Sequence, residues 1–500
     1  MNTIFKKALA LFALVAVALV GVVAPAYADR GTLTVTSTNA EFEGKSVSAW
    51  QMFTVTPNGR NYEYTLNDSW KEFFKQDGVL GASVSDADLN QKASDYVRNL
   101  GGNDSAEVQK FATKAYKWAK AQGIPATKTV TAAASGNSYV ADFDAVDLGY
   151  YVVSPTGSKS ILVNVVDKAT TTNVDLKSEY PTVDKTVENE TDKGNDAQIG
   201  DSVKFTLKSK VPDTSEYTNY TFKFDDTLSA GLTFNDDVTV TVGNTKLTAP
   251  QFTVTPDASN AQHITIDLSG SIMSFTTGDA IVVTYSATLN ENANVGNTQD
   301  KGESNSAKVV YSNDPSGTST GESKPSTTHT YTFGFDLNKV DGDGNILGGA
   351  TFQLKRQNAQ GEYEVVNVIA TKNSDNITAV RPAKTEETGV ATFETNAAGK
   401  IAVQGLDAGT YQLVETAAPE GYNKADATEI TITASYNSDG TLQNVTITNL
   451  GNNGDITIVN RKGTLLPSTG GMGTVAFTVV GAAAIIAGVA WSIRRRSHNA

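Results

Sequence analysis

Three residues with usable chemistry share faces with apolar neighbours in the last third of this 500-residue chain. Along alternating stretches Lys339 falls in phase with Phe335 and Leu337, Glu415 with Tyr411 and Leu413, and Asn460 with Ile456 and Ile458, because side chains two apart on a strand share a face. A lysine, a carboxyl and an amide are each expensive to bury alone. Buried together they can react. Desolvation disfavours both charged forms, so the amine becomes a neutral nucleophile and the acid shuttles a proton to departing ammonia. The product is an amide bond between Lys339 and Asn460, joining the first and last strands of that segment. A parallel set lies upstream: Lys185 in phase with Val183 and Val187, Asp226 with Phe222 and Phe224, and Asn305 with Ala307 and Val309. Asp225 is the competing acid, and strand phase favours Asp226.

A third constellation is the pentapeptide Leu466-Pro467-Ser468-Thr469-Gly470. Its proline fixes its own φ and restricts Leu466 to extended conformations, which presents a kinked, accessible peptide to a groove. Residues 471–493 are almost wholly apolar and uncharged, long enough at helical rise to cross a hydrocarbon core, and Arg494, Arg495 and Arg496 follow at once. Such a span with its basic end inside is a transmembrane stop-transfer segment, residues 494–500 being its cytoplasmic tail. At the other end Lys6 and Lys7, an apolar run over 8–23 and Ala26-Tyr27-Ala28 read as a secretory signal peptide, residues 1–28,.

The elements that must position these groups are strands. Gly31-Thr32-Leu33-Thr34-Val35 and the run from Val47 onward alternate as half-buried strands do; the period then changes to helical over 69–122, where Phe111, Ala115 and Trp118 recur at spacings of four and three,. Residues 29–180 are expected to form a β-sandwich with a helical insertion. Residues 181–328, dominated by Thr, Val, Ser and Asn with turn residues at short intervals, are expected to form a second sandwich, with 313–328 as a Ser/Thr/Pro/Gly linker,. Residues 329–462 form the third. The predicted class is all-β: tandem immunoglobulin-like sandwiches, the first carrying helices.

Composition narrows the function. Leader and tail hold two lysines and three arginines and no acid, so removing both takes the net charge from -14 to -19. A surface this acidic argues against nucleic acid or anionic lipid as partner. There is no cysteine, so an exported chain must gain durability from something other than disulfides. Three histidines, one of them His498 in the tail, leave little for a metal or nucleophilic site,. No enzyme activity, cofactor or metal is expected. Asp341, Asp343 and Asn345 have the spacing of a calcium loop, but Ile346 and Phe352 stand where glycine and glutamate are needed, so a hairpin turn is expected,.

The order of pentapeptide, apolar span and basic tail resembles the cell-wall sorting signal (LPXTG) of Gram-positive surface proteins. That resemblance implies that a sortase cysteine attacks between Thr469 and Gly470 and hands the threonine carbonyl to an amine. Leu337-Asn338-Lys339-Val340-Asp341, the run 347–354 and the run 409–422 resemble a collagen-adhesin B-type (Cna-B) domain, in which such a lysine, glutamate and asparagine form an autocatalytic isopeptide. The run 224–234 resembles the acid-bearing strand of isopeptide-forming fimbrial domains of the A-type. The first unit departs from the pattern: Pro155 stands where Glu415 stands in the third, and no lysine occupies its first strand, so no internal bond is expected there. In pilin backbones the acceptor amine belongs to a Tyr-Pro-Lys motif; here Tyr180-Pro181 is followed by Thr182, and Lys177, at the seam between units, is the favoured acceptor, with Lys168 in reserve. The whole is similar to a sortase-assembled backbone pilin, a family whose partners are sortase, identical subunits, accessory pilins and peptidoglycan, with a host surface ligand as a further candidate. The alternative is an adhesin anchored singly to the wall or carried at a pilus tip.

Overall fold

The computed structural model describes residues 30–463 apart from 59–60, 103–104, 177–179, 189–191, 299–300, 375 and 452. The leader, the pentapeptide with the apolar tail behind it, and Lys177 all lie outside the described residues. Among the described residues no helix is long and apolar enough to cross a membrane.

The N-terminal unit is two facing sheets. One runs Ala133–Ser135, Ser138–Asp147, Arg30–Ser37, Thr171–Asp175, with Arg30–Ser37 and Thr171–Asp175 paired in parallel. The other runs Asn61–Leu66, Ser46–Asn58, Gly149–Pro155, Ile161–Val165, with Lys128–Thr131 also on Ser46–Asn58. Helices Asp86–Arg98 and Ala106–Ala121 are inserted between the hairpin and Lys128–Thr131. The second begins where the Ser105 side chain accepts the Val108 N–H, and it buries Val108, Phe111, Ala112, Ala115 and Ala119. That stripe meets Trp70, Phe73 and Phe74 in a small core of its own, as an amphipathic helix must to be stable.

The second unit packs one sheet, Asp184–Val187, Ser202–Lys210, Ala280–Leu289, Thr239–Val242, against another containing Gly194–Asp196, Ser326–Tyr331, Glu303–Ser312, Phe222–Leu228 and Asn260–Asp267. The expected linker at 313–328 is not one. Thr320–Glu322 and Ser326–Tyr331 both pair with Glu303–Ser312, and Ser326–Tyr331 crosses the expected boundary after residue 328. Ser and Thr read as loop formers, yet here the buried Thr328 and Thr330 place their hydroxyls on Asn305 O (3.4 Å) and Asn195 Oδ1 (2.8 Å), so β-branched residues fill a strand at no unsatisfied polar cost,.

The third unit has Asn376–Pro382, Lys400–Leu406, Phe333–Asp341 and Asp455–Asn460 in one sheet and Thr351–Gln357, Gly409–Ala417, Thr428–Tyr436 and Leu442–Ile447 in the other. Its first and last strands are parallel neighbours, with Lys339 opposite Ile458 and Asp341 opposite Asn460. Their separate core is led by Phe352, Tyr411, Leu413 and Ile401. The second and third units meet backbone to backbone: a Cβ on Gly194 would lie 2.7 Å from Gly440 O, and the Asp196 carboxylate accepts from Ala408 N (2.6 Å) and Tyr436 Oη (2.5 Å).

Candidate functional sites in the second and third units

Strand alternation carries Lys185, Asp226 and Asn305 into the second core, where all three are fully buried. Lys185 Nζ lies 2.6 Å from both Asp226 oxygens and 2.7 Å from Tyr285 Oη. Asn305 Nδ2 donates to the same hydroxyl at 2.8 Å, so amine and amide are no further apart than those two bonds laid end to end. The ammonium also rests over the Phe205 and Tyr285 rings, 5.4 and 5.1 Å from their centroids, an attraction that offsets part of its lost hydration. Burial still pushes the Lys185 amine down to about 8, although the Asp226 carboxylate pulls the other way. The structure thus brings this set together. Unlike the pair of the third unit, which is expected to join first and last strands, Asn305 is on Glu303–Ser312 with Thr320–Glu322 and Ser326–Tyr331 still to follow, and Lys185 belongs to the opposite sheet. Asp225, the competing acid, points to the other face and meets His263 Nε2 at 2.7 Å. A one-residue step reverses the face, which is why phase decides between adjacent aspartates.

In the third unit Lys339 and Asn460 are fully buried and Glu415 nearly so. Glu415 Oε1 accepts from Asn460 Nδ2 at 2.8 Å, and its other oxygen accepts from Ala425 N at 2.5 Å. Lys339 Nζ donates to the carbonyls of Val340 and Ile458, both at 3.1 Å. Burial moves this amine below its ordinary range, against the opposing pull of Glu415 and Asp341. Oδ1 of Asn460, like Oδ1 of Asn305, is buried without a hydrogen-bond partner. An unsatisfied buried carbonyl is costly, and it is the atom on which charge would accumulate if an amine attacked the neighbouring carbon. Lysine and asparagine here sit on adjacent parallel strands of one sheet, with the acid reaching in from the other.

Among the described residues the first unit shows no such set. Leu33 and Val35 fill the inward positions of its first strand, and Pro155 is buried opposite Val47. Asp341 Oδ1 accepts from Asp343 N and Asn345 N at 2.9 Å each, which closes a turn. Among the described residues no group of His, Cys, Asp or Glu side chains is placed to hold a metal. Sequence reasoning missed Tyr285. Its one legible signal was a hydroxyl in the inward row Ile281, Val283, Tyr285, Ala287, Leu289, since a buried tyrosine seeks a partner.

Comparison with known proteins gives three family matches. Residues 199–315 match the Gram-positive pilin backbone subunit 2, Cna-B-like domain, and not the A-type expected from the run 224–234. Residues 334–451 match the SpaA prealbumin-like fold domain, and residues 459–499 match the LPXTG cell wall anchor motif. No curated protein sequence matches. Among solved structures, the T6 backbone pilin of serotype M6 Streptococcus pyogenes is 18% identical over 87% of this chain and 99% of that one, with a TM-score of 0.49. The full-length major pilin SpaD from Corynebacterium diphtheriae is 19% identical over 87% and 98%, with a TM-score of 0.45. A 35 kDa C-terminal fragment of the major pilin GBS80 of Streptococcus agalactiae is 22% identical over 56% and 100%, with a TM-score of 0.43. The pilin-backbone match falls on the second sandwich and the prealbumin-like match on the third, the wall-anchor match follows them in sequence, and the chain is a cell-wall-anchored surface pilus protein of Gram-positive type.

Proposed function

We propose that the chain is the repeating subunit of a covalent pilus: sortase joins Thr469 of one copy to Lys177 of the next and transfers the last copy to peptidoglycan, and the fibre supports adhesion. The units behind that linkage are domains 29–180, 181–328 and 329–462, although the last strand of the second runs on to Tyr331. Two internal isopeptides, Lys185 to Asn305 and Lys339 to Asn460, harden the fibre. In each, the lysine passes a proton to the acid, Asp226 or Glu415. The free amine attacks the asparagine Cγ, the new C–N bond forms as the old one breaks, and the protonated leaving nitrogen departs as ammonia. Water exclusion favours this chemistry, because a solvated ammonium would stay protonated.

The observation that carries the reading is the joint presence of a wall-anchor segment and two sandwiches that each bury a lysine, a carboxyl and an asparagine in one core. It is tested by wall extracts run under denaturing conditions. The native chain should give a ladder of regularly increasing mass, and Leu466→Ala with Pro467→Ala should abolish both ladder and wall attachment. A single discrete wall-bound band from the native chain would instead establish the singly anchored adhesin.

A further inference from the structure

We propose that Tyr285 is a catalytic proton relay in the second unit, carrying the proton that leaves Lys185 from Asp226 to the nitrogen of Asn305 that departs as ammonia. The inference rests on the isopeptide reading above. Tyr285 sits on Ala280–Leu289, in the sheet facing Asp226 and Asn305, and among the described residues its hydroxyl is the one atom in hydrogen-bond contact with all three reactants. It accepts from Lys185 Nζ (2.7 Å) and Asn305 Nδ2 (2.8 Å) and donates to Asp226 Oδ2 (2.6 Å). A phenol has one proton and two lone-pair acceptors, so these bonds use its whole capacity and fix their direction.

Among the described residues, no hydrogen bond joins Asp226 to Asn305 directly. The third unit is built differently, since Glu415 touches the Asn460 nitrogen itself at 2.8 Å. An acid that reaches its leaving group needs no intermediary. Asp226 reaches Asn305 only through the Tyr285 oxygen.

The bookkeeping of protons closes. Lys185 Nζ gives one proton to Asp226 Oδ2, 2.6 Å away, and the resulting neutral amine adds to Asn305 Cγ, placing negative charge on Oδ1. The phenol proton then turns from Asp226 Oδ2 toward Nδ2, and Oδ2 passes the lysine's proton to Tyr285 Oη as Oη hands its own to Nδ2, so the hydrogen bonds of the hydroxyl to Oδ2 and to Nδ2 both reverse. Collapse of Oδ1 to a carbonyl expels ammonia, and the new amide nitrogen loses its surplus proton to Asp226. Burial and the adjacent Asp226 charge hold the phenol well above its ordinary range, so it stays protonated and passes protons in a concerted step without ionising.

The test uses the full chain and maps crosslinked peptides by mass spectrometry during refolding from the denatured, unreacted state. Tyr285→Phe keeps the ring under Lys185 and removes the hydroxyl. General acid–base catalysis contributes about 10²–10⁴-fold, so the Lys185–Asn305 crosslink should form at least about a hundredfold more slowly, while Lys339–Asn460 forms at the native rate in the same molecules. A native rate for Lys185–Asn305 in Tyr285→Phe would overturn the relay. As a second arm, fluorinated tyrosines at 285 alter phenol acidity with little change in shape. A rate that tracks acidity supports the relay, and a rate indifferent to it assigns the hydroxyl a structural role and overturns the proposal. A native chain with no Lys185–Asn305 crosslink at all would refute the isopeptide reading itself, which separates the two failures.

Discussion

Glutamine at position 415 should cost the third unit its proposed covalent tie while leaving its packing almost intact. Glu415 accepts two hydrogen bonds, from Asn460 Nδ2 and Ala425 N. A glutamine carbonyl can keep the second. Its amide can then face Asn460, whose own amide turns over to present the Oδ1 that now lacks a partner, so the contact between the two side chains is kept with its direction reversed. What Glu415→Gln removes is the acid. Without the Lys339–Asn460 bond, a closed loop of about 120 residues opens in the unfolded ensemble, worth about 4–5 kcal/mol in the chain-entropy treatment of crosslinks. For a unit of this size about 1 kcal/mol moves the midpoint by roughly 3–5 °C, so the third unit should melt on the order of 15 °C lower. Calorimetry gives the shift, and intact mass gives the chemistry: the native chain should be lighter than its sequence by two ammonia molecules and the variant by one. A variant that still loses two would refute the role of Glu415. Loss of one with a midpoint shift of only a degree or two would refute the energetic argument.

Three further outcomes follow from the same geometry. With Asn305→Ala no second-unit bond can form, and Lys185, down at about 8 when folded against 10.5 when free, makes the unfolded state bind more protons between those values. Stability should therefore rise with pH from about 8 toward 10 in urea titrations, and adding Lys185→Met should flatten that slope. Lys177→Arg keeps the charge and removes the primary amine, so the pilus ladder should collapse to monomer; a persisting ladder would move the linkage to Lys168, tested as Lys168→Arg. Gly440 has φ +87° and no room for a Cβ, which would lie 2.2 Å from Lys193 O. Gly440→Ala should therefore loosen the contact between second and third units and enlarge the molecule in solution scattering, and unchanged scattering would show that the contact does not fix their arrangement.

The legible part of this molecule was its alternation. Lys185, Asp226, Asn305, Lys339, Glu415 and Asn460 could all be placed on inward faces because a period of two assigns sides without knowledge of the partner strand. Which strands become neighbours is not contained in that period. Hence the alternation around Asn305 does not show that Ser326–Tyr331 pairs beside it, and a threonine-rich strand reads as a linker because Thr328 and Thr330 find their partners on Asn305 and Asn195, far off in sequence. The strands that follow the helical insertion are illegible for a related reason: Lys128–Thr131 and Ala133–Ser135 are largely exposed and carry little periodic signal.

The two proposed bonds differ in what they would do under tension, and the difference follows from strand order. In the third unit Lys339 and Asn460 lie on parallel neighbouring strands at the entry and exit of the chain. Force arriving through Phe333–Asp341 would pass across the amide to Asp455–Asn460 and leave at once, and the intervening chain would bear none of it. In the second unit force would enter near Lys185 and cross to Asn305, but the chain continues through the rest of Glu303–Ser312, Thr320–Glu322 and Ser326–Tyr331 before it reaches the third unit. That remainder is held noncovalently, by antiparallel pairing of Ser326–Tyr331 with Glu303–Ser312, parallel pairing with Gly194–Asp196, and burial of the Tyr331 ring. The buried hydroxyls of Thr328 and Thr330 and the close approach of Gly194 to Gly440 reinforce the one segment that the bond leaves in the load path. Noncovalent reinforcement is thus concentrated where covalent reinforcement would stop.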